Sequence, residues 1–192
     1  MRSVVKDLRV VLILAAAMSS VVMAYSGGDG TAGNPYQIDN KADLLELGAT
    51  PEDYGKCFIL TSDIDLGEEI FNTAIIAADI SNYTSGFEGI AFSGIFNGNN
   101  HIISNLAINT QVNDHIALFG RVDSSGQIKN LGVENVNLEG TCNIAGLVGD
   151  NRGTIIACYV TGSVRGEYYY AGGLVGNNDG AVTTCYTTCI VK

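Results

Sequence analysis

The acidic segment SDIDLGEE (residues 62–69) carries the first side chains whose types and spacing could do chemistry. Together with Asp79, its carboxylates offer the oxygen ligands that calcium favours. If the segment is a strand, alternation places Asp63 and Asp65 on one outward face. Two interpretations follow: a site built on these carboxylates, or a solvated acidic edge, which is the commoner outcome for such a run.

The other reactive residue types lack a diagnostic arrangement in the sequence. His101 and His115 have no serine or cysteine nucleophile at a catalytic spacing, and no H-E-x-x-H motif occurs. No Cys/His cluster has zinc spacing, so the sequence indicates no cofactor. Arg121, Arg152 and Arg165 are expected in exposed turns. We therefore predict that the chain is not an enzyme.

A glycine-rich stretch occurs twice, as GLVGDN from Gly146 and GLVGNN from Gly173. A phosphate-binding loop requires a terminal Lys-Ser/Thr or a following helix, and here a strand-like run follows each copy. The two segments Ala145–Val164 and Gly172–Val191 align without a gap and agree at half of their positions. The sequence therefore favours a repeated structural unit over a phosphate site.

The segment EYYYAGG contains Tyr168, Tyr169 and Tyr170, the best candidates for ligand contact. Alternation along a strand would expose at least one of the three rings. An exposed tyrosine suits stacking on a sugar ring or contact with a protein. The alternative is a turn in which the rings shield a corner of the fold.

The N-terminal segment and the net charge predict that the chain is exported. Arg2, Lys6 and Arg9 precede the apolar run of residues 10–18, and the small residue Ala24 follows, which is typical of a signal peptide over residues 1–24. An uncleaved anchor is the alternative. The chain after Ala24 carries 7 basic and 19 acidic side chains, a net charge of −12 that disfavours nucleic acid. We expect a secreted or cell-surface location. The protein is expected to contact the membrane only while it is exported.

Short β-rich runs recur at a nearly constant interval and predict a solenoid. The runs IISNLAI, QIKNLGV, IIACYV and VTTCYT align on Ile103, Ile128, Ile155 and Val182. In this alignment Leu106 shares a ladder with Leu131, Cys158 and Cys185. Units of this length that lack helical periodicity predict an all-β fold: a right-handed parallel β-helix (β-solenoid) with a short N-terminal helix and strand cap.

The repeated motifs, each followed by Cys-Tyr, resemble the GLUG motif, as does FSGIFNGNNHIISNLAI upstream. GLUG repeats occur in secreted and surface-attached bacterial proteins, including the non-catalytic N-terminal part of some IgA-cleaving metallopeptidases. The resemblance implies a β-solenoid outside the cell. The structural repeat residues in the two motifs are Gly146, Leu147, Val148, Gly149, Asn151, Gly153 and Cys158 in one copy, and Gly173, Leu174, Val175, Gly176, Asn178, Gly180 and Cys185 in the other.

The predicted domain organisation has three parts after the signal peptide. Residues 25–33 form a flexible N-terminus, residues 34–93 a cap with an irregular first part, and residues 94–192 the solenoid coils, truncated at the C-terminus. The cap contains a helix in DNKADLLELG, which begins after an Asn or Asp N-cap and ends at Gly48. The five cysteines cannot all pair within one chain, and we expect free thiols or partial oxidation.

The predicted function is an exported, non-enzymatic β-solenoid that serves as a surface or adhesion-type module, with a glycan or a surface protein as its partner. The alternative is a carbohydrate-active β-helix, similar to polysaccharide lyases or hydrolases. Its site would lie on the outer face that carries Asp63 and Asp65.

Overall fold

The computed structural model describes residues 25–80 and 86–192, so the predicted signal peptide lies outside the described residues. These residues form a parallel β-solenoid in which successive coils stack along one axis. The predicted all-β parallel β-helix with a short helical cap is confirmed.

Six coils follow one another along the chain, numbered here from the N-terminus. Coil 1 contains β1 (Tyr36–Ile38), α1 (Lys41–Ala49) and a 3-10 turn (Pro51–Asp53). Coil 2 contains β2 (Cys57–Leu60), β3 (Ile64–Asp65) and β4 (Ile70–Phe71). Coil 3 contains β5 (Ile95–Asn97), β6 (Ile102–Ser104), β7 (Ala107–Asn109) and β8 (Phe119–Val122). Coil 4 contains β9 (Gln127–Lys129), β10 (Gly132–Gly140), β11 (Ile144–Ala145) and β12 (Val148–Asn151). Coil 5 contains β13 (Thr154–Ile156), β14 (Tyr159–Gly166), β15 (Ala171–Gly172) and β16 (Val175–Asn178). Coil 6 contains β17 (Ala181–Thr183), β18 (Tyr186–Thr187) and β19 (Ile190–Val191).

The strands stack into parallel sheets that run along the solenoid. One sheet has the order β1-β2-β5-β9-β13-β17 and takes one strand from every coil. The second sheet contains β3-β6-β10-β14-β18, with β4, β7 and β19 paired along its second half. The third face consists of β8-β12-β16 and the short pair β11-β15. Because hydrogen bonds run between coils, each coil satisfies the backbone of its neighbours.

Apolar side chains at matching positions form continuous ladders inside the coils. Phe96 pairs with Ile128, which pairs with Ile155, and the side chains of all three are fully buried. Leu131 and Cys158 are buried at the next corner, and the Cys158 amide donates to Cys185 Sγ at 3.3 Å. The ladders provide most of the hydrophobic stabilisation, since each coil alone is too thin to bury them.

The predicted alignment of the first repeat copy was wrong. Ile103 pairs with Val133 and not with Ile128, so Leu106 does not belong to the Leu131 ladder. The true partner of Ile128 in the preceding coil is Phe96, which makes the first step longer than the later ones. The error arose because Asn105-Leu106 and Asn130-Leu131 look alike, each a left-handed asparagine before a buried leucine, yet they occupy different corners.

The repeated glycines lie where two coils approach most closely. A Cβ on Gly149 would lie 2.7 Å from Gly120 O, and one on Gly176 would lie 2.7 Å from Gly149 O. The same contact recurs between Gly153 and Gly126 at 2.3 Å. These positions therefore require the absence of a side chain, and none of these glycines has a positive φ.

Asparagine supplies the polar element of the same repeat. Val148 pairs with Val175, and the same register stacks Asn151 on Asn178. The buried Asn151 side chain accepts from Gly153 N at 3.2 Å and donates to Asn178 Oδ1 at 2.7 Å. The first copy of the motif thus bonds the next coil through Asn151, whereas Asn178 in the second copy donates to Gly180 O at 3.3 Å.

The N-terminal helix closes coil 1, with one difference from the prediction. The Asn40 side chain caps α1 by accepting from Asp43 N at 3.1 Å, and Leu44 and Leu47 are buried in the core. Gly48 lies inside the helix and does not end it. A Cβ on Gly48 would meet Ile75 O at 2.1 Å, so the glycine allows close packing on coil 2.

The residues before coil 2 are more ordered than the composition indicated. In place of a flexible segment at residues 25–33, Tyr25 is buried and donates to Asp53 Oδ2 at 3.1 Å, and Gly27 bridges to Gln37. The parallel sheet begins at β1, well before residue 94. The region expected to be irregular also contains β4 and a parallel bridge from Ile76 to Phe119.

Candidate functional site

The three tyrosines Tyr168, Tyr169 and Tyr170 form a turn between β14 and β15, here called the tyrosine corner. Their exposed fractions are 70%, 69% and 62%. A strand would expose at least one ring, and all three point to solvent because this segment is a turn and not a strand. The rings of Tyr169 and Tyr170 lie 6.4 Å apart with an interplanar angle of 48°.

The backbone of the corner is held by the coil below. Tyr168 N donates to Thr141 O at 3.1 Å, and Asn143 N donates to Tyr169 O at 3.0 Å. Tyr170 has φ 60°, and Asn143 has φ 50° at the matching position. A non-glycine residue in this region is uncommon, and the stacked turns hold the Tyr170 backbone in it.

The residues beneath this corner form a buried polar cluster that the sequence did not reveal. His115 Nδ1 lies 2.9 Å from Asp79 Oδ2, and both side chains are almost fully buried. The Phe87 ring packs edge-on against His115 and lies under the Arg121 guanidinium at 5.0 Å. Arg121 also pairs with Asp150 at 2.9 Å and is mostly buried, contrary to its predicted exposure. The cluster attaches the segment around Phe87 to the third face.

The outward carboxylates of β3 and its preceding turn lie as alternation predicted. Asp63 Oδ1 accepts from Ile102 N at 2.9 Å and lies 3.0 Å from His101 Nδ1. The backbone amide of Ile102 and the His101 side chain hold the pKa of Asp63 below its ordinary value. A general acid requires the opposite shift, so Asp63 is not arranged as one.

Asp65 has a similar environment on the same coil. Its Oδ1 accepts from Asn105 Nδ2 at 2.7 Å and from Gly67 N at 2.8 Å, and these bonds lower its pKa. Asp79, which the sequence grouped with these carboxylates as calcium ligands, is instead bonded to His115. Within residues 25–80 and 86–192, no three His, Cys, Asp or Glu side chains are grouped as metal ligands.

A polar groove of about 770 Å³ runs along the outside of the second sheet. It lies where the sheet bends, between the strand ending at Asp65 and the later strands of that face. The bend residues Gly67, Asn105, Asn135 and Gly162 all have positive φ. Asn135 Nδ2 donates to Asn105 Oδ1 at 2.6 Å, so the Asp65–Asn105–Asn135 ladder forms one wall.

The opposite wall comes from the strands beyond the bend. Ala107 pairs with Asn137, which pairs with Ser163 on the next coil, and all three face the groove. Ser163 Oγ donates to Asn137 Oδ1 at 3.4 Å. Glu68 lines the coil 2 end and Ile190 the coil 6 end. No sequence motif indicated this groove, because it collects residues from five coils.

Cys142 hydrogen-bonds the backbone of Tyr169 at the tyrosine corner, and the other four cysteines lie outside the groove lining. All five are free thiols in the structure. Cys158 is buried beside Cys185, and burial raises its pKa to about 12. As a neutral, buried thiol it packs as a small hydrophobic side chain. In the described part of the chain, no helix has the length and apolarity needed to cross a membrane.

The fold and these surfaces define a β-solenoid with an open outer groove and an aromatic corner. Halomucin from Haloquadratum walsbyi is 34% identical over 148 residues, covering 73% of this chain and 2% of Halomucin. A protein described as a Gly-rich membrane protein from Evansella cellulosilytica is 31% identical over 158 residues, covering 76% of this chain and 17% of that protein. The chain therefore spans a small part of the relatives it matches.

A solved structure has the same fold. It is described as an immunoglobulin A1 protease from Bacteroides ovatus and superposes with a TM-score of 0.66 at 23% identity, covering 86% of this chain and 50% of that one. Identity at this level establishes the fold alone. No family model matches the chain, so the resemblance to GLUG repeats stays a prediction.

Proposed function

We propose that this chain is a non-catalytic module of an exported or surface-attached protein, and that the tyrosine corner contacts a glycan or a surface protein in an adhesion-type role. The observation that carries the proposal is the 34% identity to Halomucin over 148 residues. The second relative is described as a membrane protein, which supports the same location. The resemblance to GLUG repeats points to the same setting.

The architecture supports a scaffold role on physical grounds. Each coil packs its apolar side chains against those of the neighbouring coils. The inward residues are therefore needed for stability, and the outward side chains are available to contact partners. The acidic excess of the chain keeps such a surface soluble and repels nucleic acid. The tyrosine corner exposes three large rings on a backbone fixed by Thr141 and Asn143. Rigid, exposed aromatic rings suit stacking on sugars and protein contact, because little conformational entropy is lost on binding.

The hydrogen bonding of the outward carboxylates disfavours a role for either of them as a general acid. Asp63 and Asp65 accept bonds from backbone amides and neighbouring side chains, which favours their charged forms. The direct test of the alternative is turnover of a panel of acidic and neutral polysaccharides, with and without calcium. We expect no turnover. Turnover that Asp63→Ala abolishes would contradict the proposal and favour the carbohydrate-active alternative.

The export half of the proposal is tested with the full chain expressed in a bacterial host. We expect the protein in the medium or accessible to protease on intact cells. The double variant Leu12→Arg/Leu14→Arg interrupts the apolar run and should retain the protein inside the cell. The matched control Tyr168→Ala should be exported like the wild type. A wild-type protein that stays in the cytoplasm would refute this half.

The contact half is tested by binding of purified protein to a glycan array and to intact bacterial surfaces. Replacing all three corner tyrosines by serine should weaken any binding at least ten-fold. The control Tyr186→Ser removes a tyrosine that is 58% exposed on a different face, and it should change binding less than two-fold. Equal loss in both variants, or loss in neither, would show that the tyrosine corner is not the contact surface.

A further inference from the structure

We propose that the outer groove of the second sheet binds an extended, uncharged polysaccharide chain, with about one sugar residue for each coil. This site is separate from the tyrosine corner and does not depend on export. Its walls are the Asp65–Asn105–Asn135 ladder on one side and Ala107, Asn137 and Ser163 on the other.

The spacing of the groove matches an extended sugar chain. Adjacent coils lie about 4.8 Å apart, so matching side-chain positions recur at that interval along the solenoid. One sugar of an extended β-1,4-linked chain advances by a similar distance. From Asp65 in coil 2 to Ile190 in coil 6 the groove crosses five coils, a length of about 19 Å. It therefore accommodates about four sugar residues. Asn137 and Ser163 supply polar side chains to one wall in coils 4 and 5. Asp65, Asn105 and Asn135 supply polar side chains to the other wall in coils 2 to 4.

The chemistry of the lining selects hydroxyl groups. Carboxylate and amide oxygens accept hydrogen bonds from hydroxyls, and amide nitrogens donate to them. The Asn137 amide nitrogen makes no hydrogen bond to the described part of the chain, and neither does the Glu68 carboxylate. These groups face the groove and are available to a ligand. The floor leaves room for a sugar because Gly162 has no side chain and Ala107 has a small one.

The charge of the groove argues against an acidic ligand. Asp65 and Glu68 lie at one end, and its lining, drawn from the described residues, contains no lysine or arginine. An anionic chain such as a polyuronate would be repelled at low ionic strength.

An extended peptide is also disfavoured as the ligand of the groove. The strands that line the groove already pair with their neighbours on both sides in coils 3 to 5, so there is no free edge for strand addition.

The test is calorimetric titration of the purified chain with β-1,4-linked glucose, mannose and xylose oligosaccharides, from the disaccharide to the hexasaccharide. We expect at least one series to bind, with affinity rising up to the tetrasaccharide and changing less than two-fold from there to the hexasaccharide. Hexagalacturonate should bind at least ten-fold more weakly than the matching neutral hexasaccharide at low ionic strength.

Variants then locate the binding. Asn137→Ala removes the available amide and should weaken binding about ten-fold, while Ala107→Phe places a ring on the floor and should abolish it. The matched control Gln111→Ala removes an exposed amide outside the groove lining, and it should alter affinity less than two-fold.

Thermal melting checks the fold of each variant. Asn137 is exposed, so Asn137→Ala and the length dependence carry the test even if Ala107→Phe unfolds. Absence of binding by all three neutral series would refute the groove proposal. So would binding that Asn137→Ala leaves unchanged, or tighter binding of hexagalacturonate. Binding lost only in the tyrosine corner variant would refute the groove and support the proposed function.

Discussion

Gly153→Ala tests the reasoning that the repeated glycines exist for close contact between coils. A Cβ at this position would lie 2.3 Å from Gly126 O and 2.5 Å from Asp123 O. Ordinary carbon–oxygen contacts are about 3.3 Å or longer, so the two coils must separate locally by roughly 1 Å. Interiors packed to crystal density do not absorb such a shift without losing contacts elsewhere.

The size of the effect follows from the hydrogen bonds beside the glycine. Thr154 N donates to Gly126 O at 3.0 Å, and Ala181 N donates to Gly153 O at 2.9 Å. A separation of roughly 1 Å would break the first and distort the second, each worth about 1 kcal/mol. Overpacking adds about 1–3 kcal/mol, and the stiffer unfolded chain returns about 0.4–1 kcal/mol. We expect a net loss of about 2–3 kcal/mol in the free energy of unfolding.

Equilibrium unfolding in urea measures this loss. With an m-value of about 2 kcal/mol/M, the midpoint should fall by roughly 1 M while the m-value stays unchanged. The control is Gly33→Ala, because a Cβ on Gly33 has no neighbour within 4 Å and its backbone does not need a positive φ. That midpoint should move by less than about 0.3 M. If Gly153→Ala and Gly33→Ala shifted the midpoint equally, close contact between coils would not be the reason for glycine at position 153.

Three further predictions concern single side chains. Asn151→Ala removes the buried amide that bonds Asn178, and it should destabilise the fold by about 1–3 kcal/mol in the same urea assay, because Gly153 N also loses its acceptor. The hydrogen bond to Glu134 and partial burial raise the pKa of Tyr159 to about 12. The contribution of this tyrosine to stability is therefore present below pH 10 and is lost as the pH rises toward 12. In an absorbance titration of Glu134→Gln, the pKa of Tyr159 should move back toward 10. Buried Cys158, with its raised pKa, should react with iodoacetamide at pH 8 more than ten-fold slower in the native protein than in urea, and equal rates measured by mass spectrometry would contradict its placement in the core.

Local and strictly periodic features of the fold were predictable from the sequence. The step between the last two motif copies is visible because Gly149 and Gly176 recur with their neighbouring residues, and the structure stacks these segments in register. The helix was visible because Asn40 precedes a run with buried Leu44 and Leu47. In each case the signal lies within a few residues of sequence, where backbone sterics and capping act.

Features that depend on long connections were not predictable. Coil 3 is longer than coils 4 and 5, so the apparent period of the sequence pairs Ile103 with Ile128, whereas its partner in the structure is Val133. The His115–Asp79 pair joins positions that are far apart in sequence. The sequence allowed either a strand or a turn at residues 168–170, but it did not predict that all three rings of a turn would point to solvent. No periodicity encodes these contacts, because the insertions between strands set them.

The groove shows why a site on a solenoid is hard to recognise in sequence and also how it must be tested. Asn105 and Asn135 adopt the left-handed conformation that bends the sheet, and the same side chains form the groove wall. Their replacement would therefore change the bend and the ligand contacts together, and a loss of binding could not be assigned to either. Asn137 lies on a regular part of its strand with a free amide nitrogen, so its side chain can be removed without moving the backbone. Asn137 is therefore the residue whose replacement best separates a loss of ligand contact from a change in the bend of the sheet.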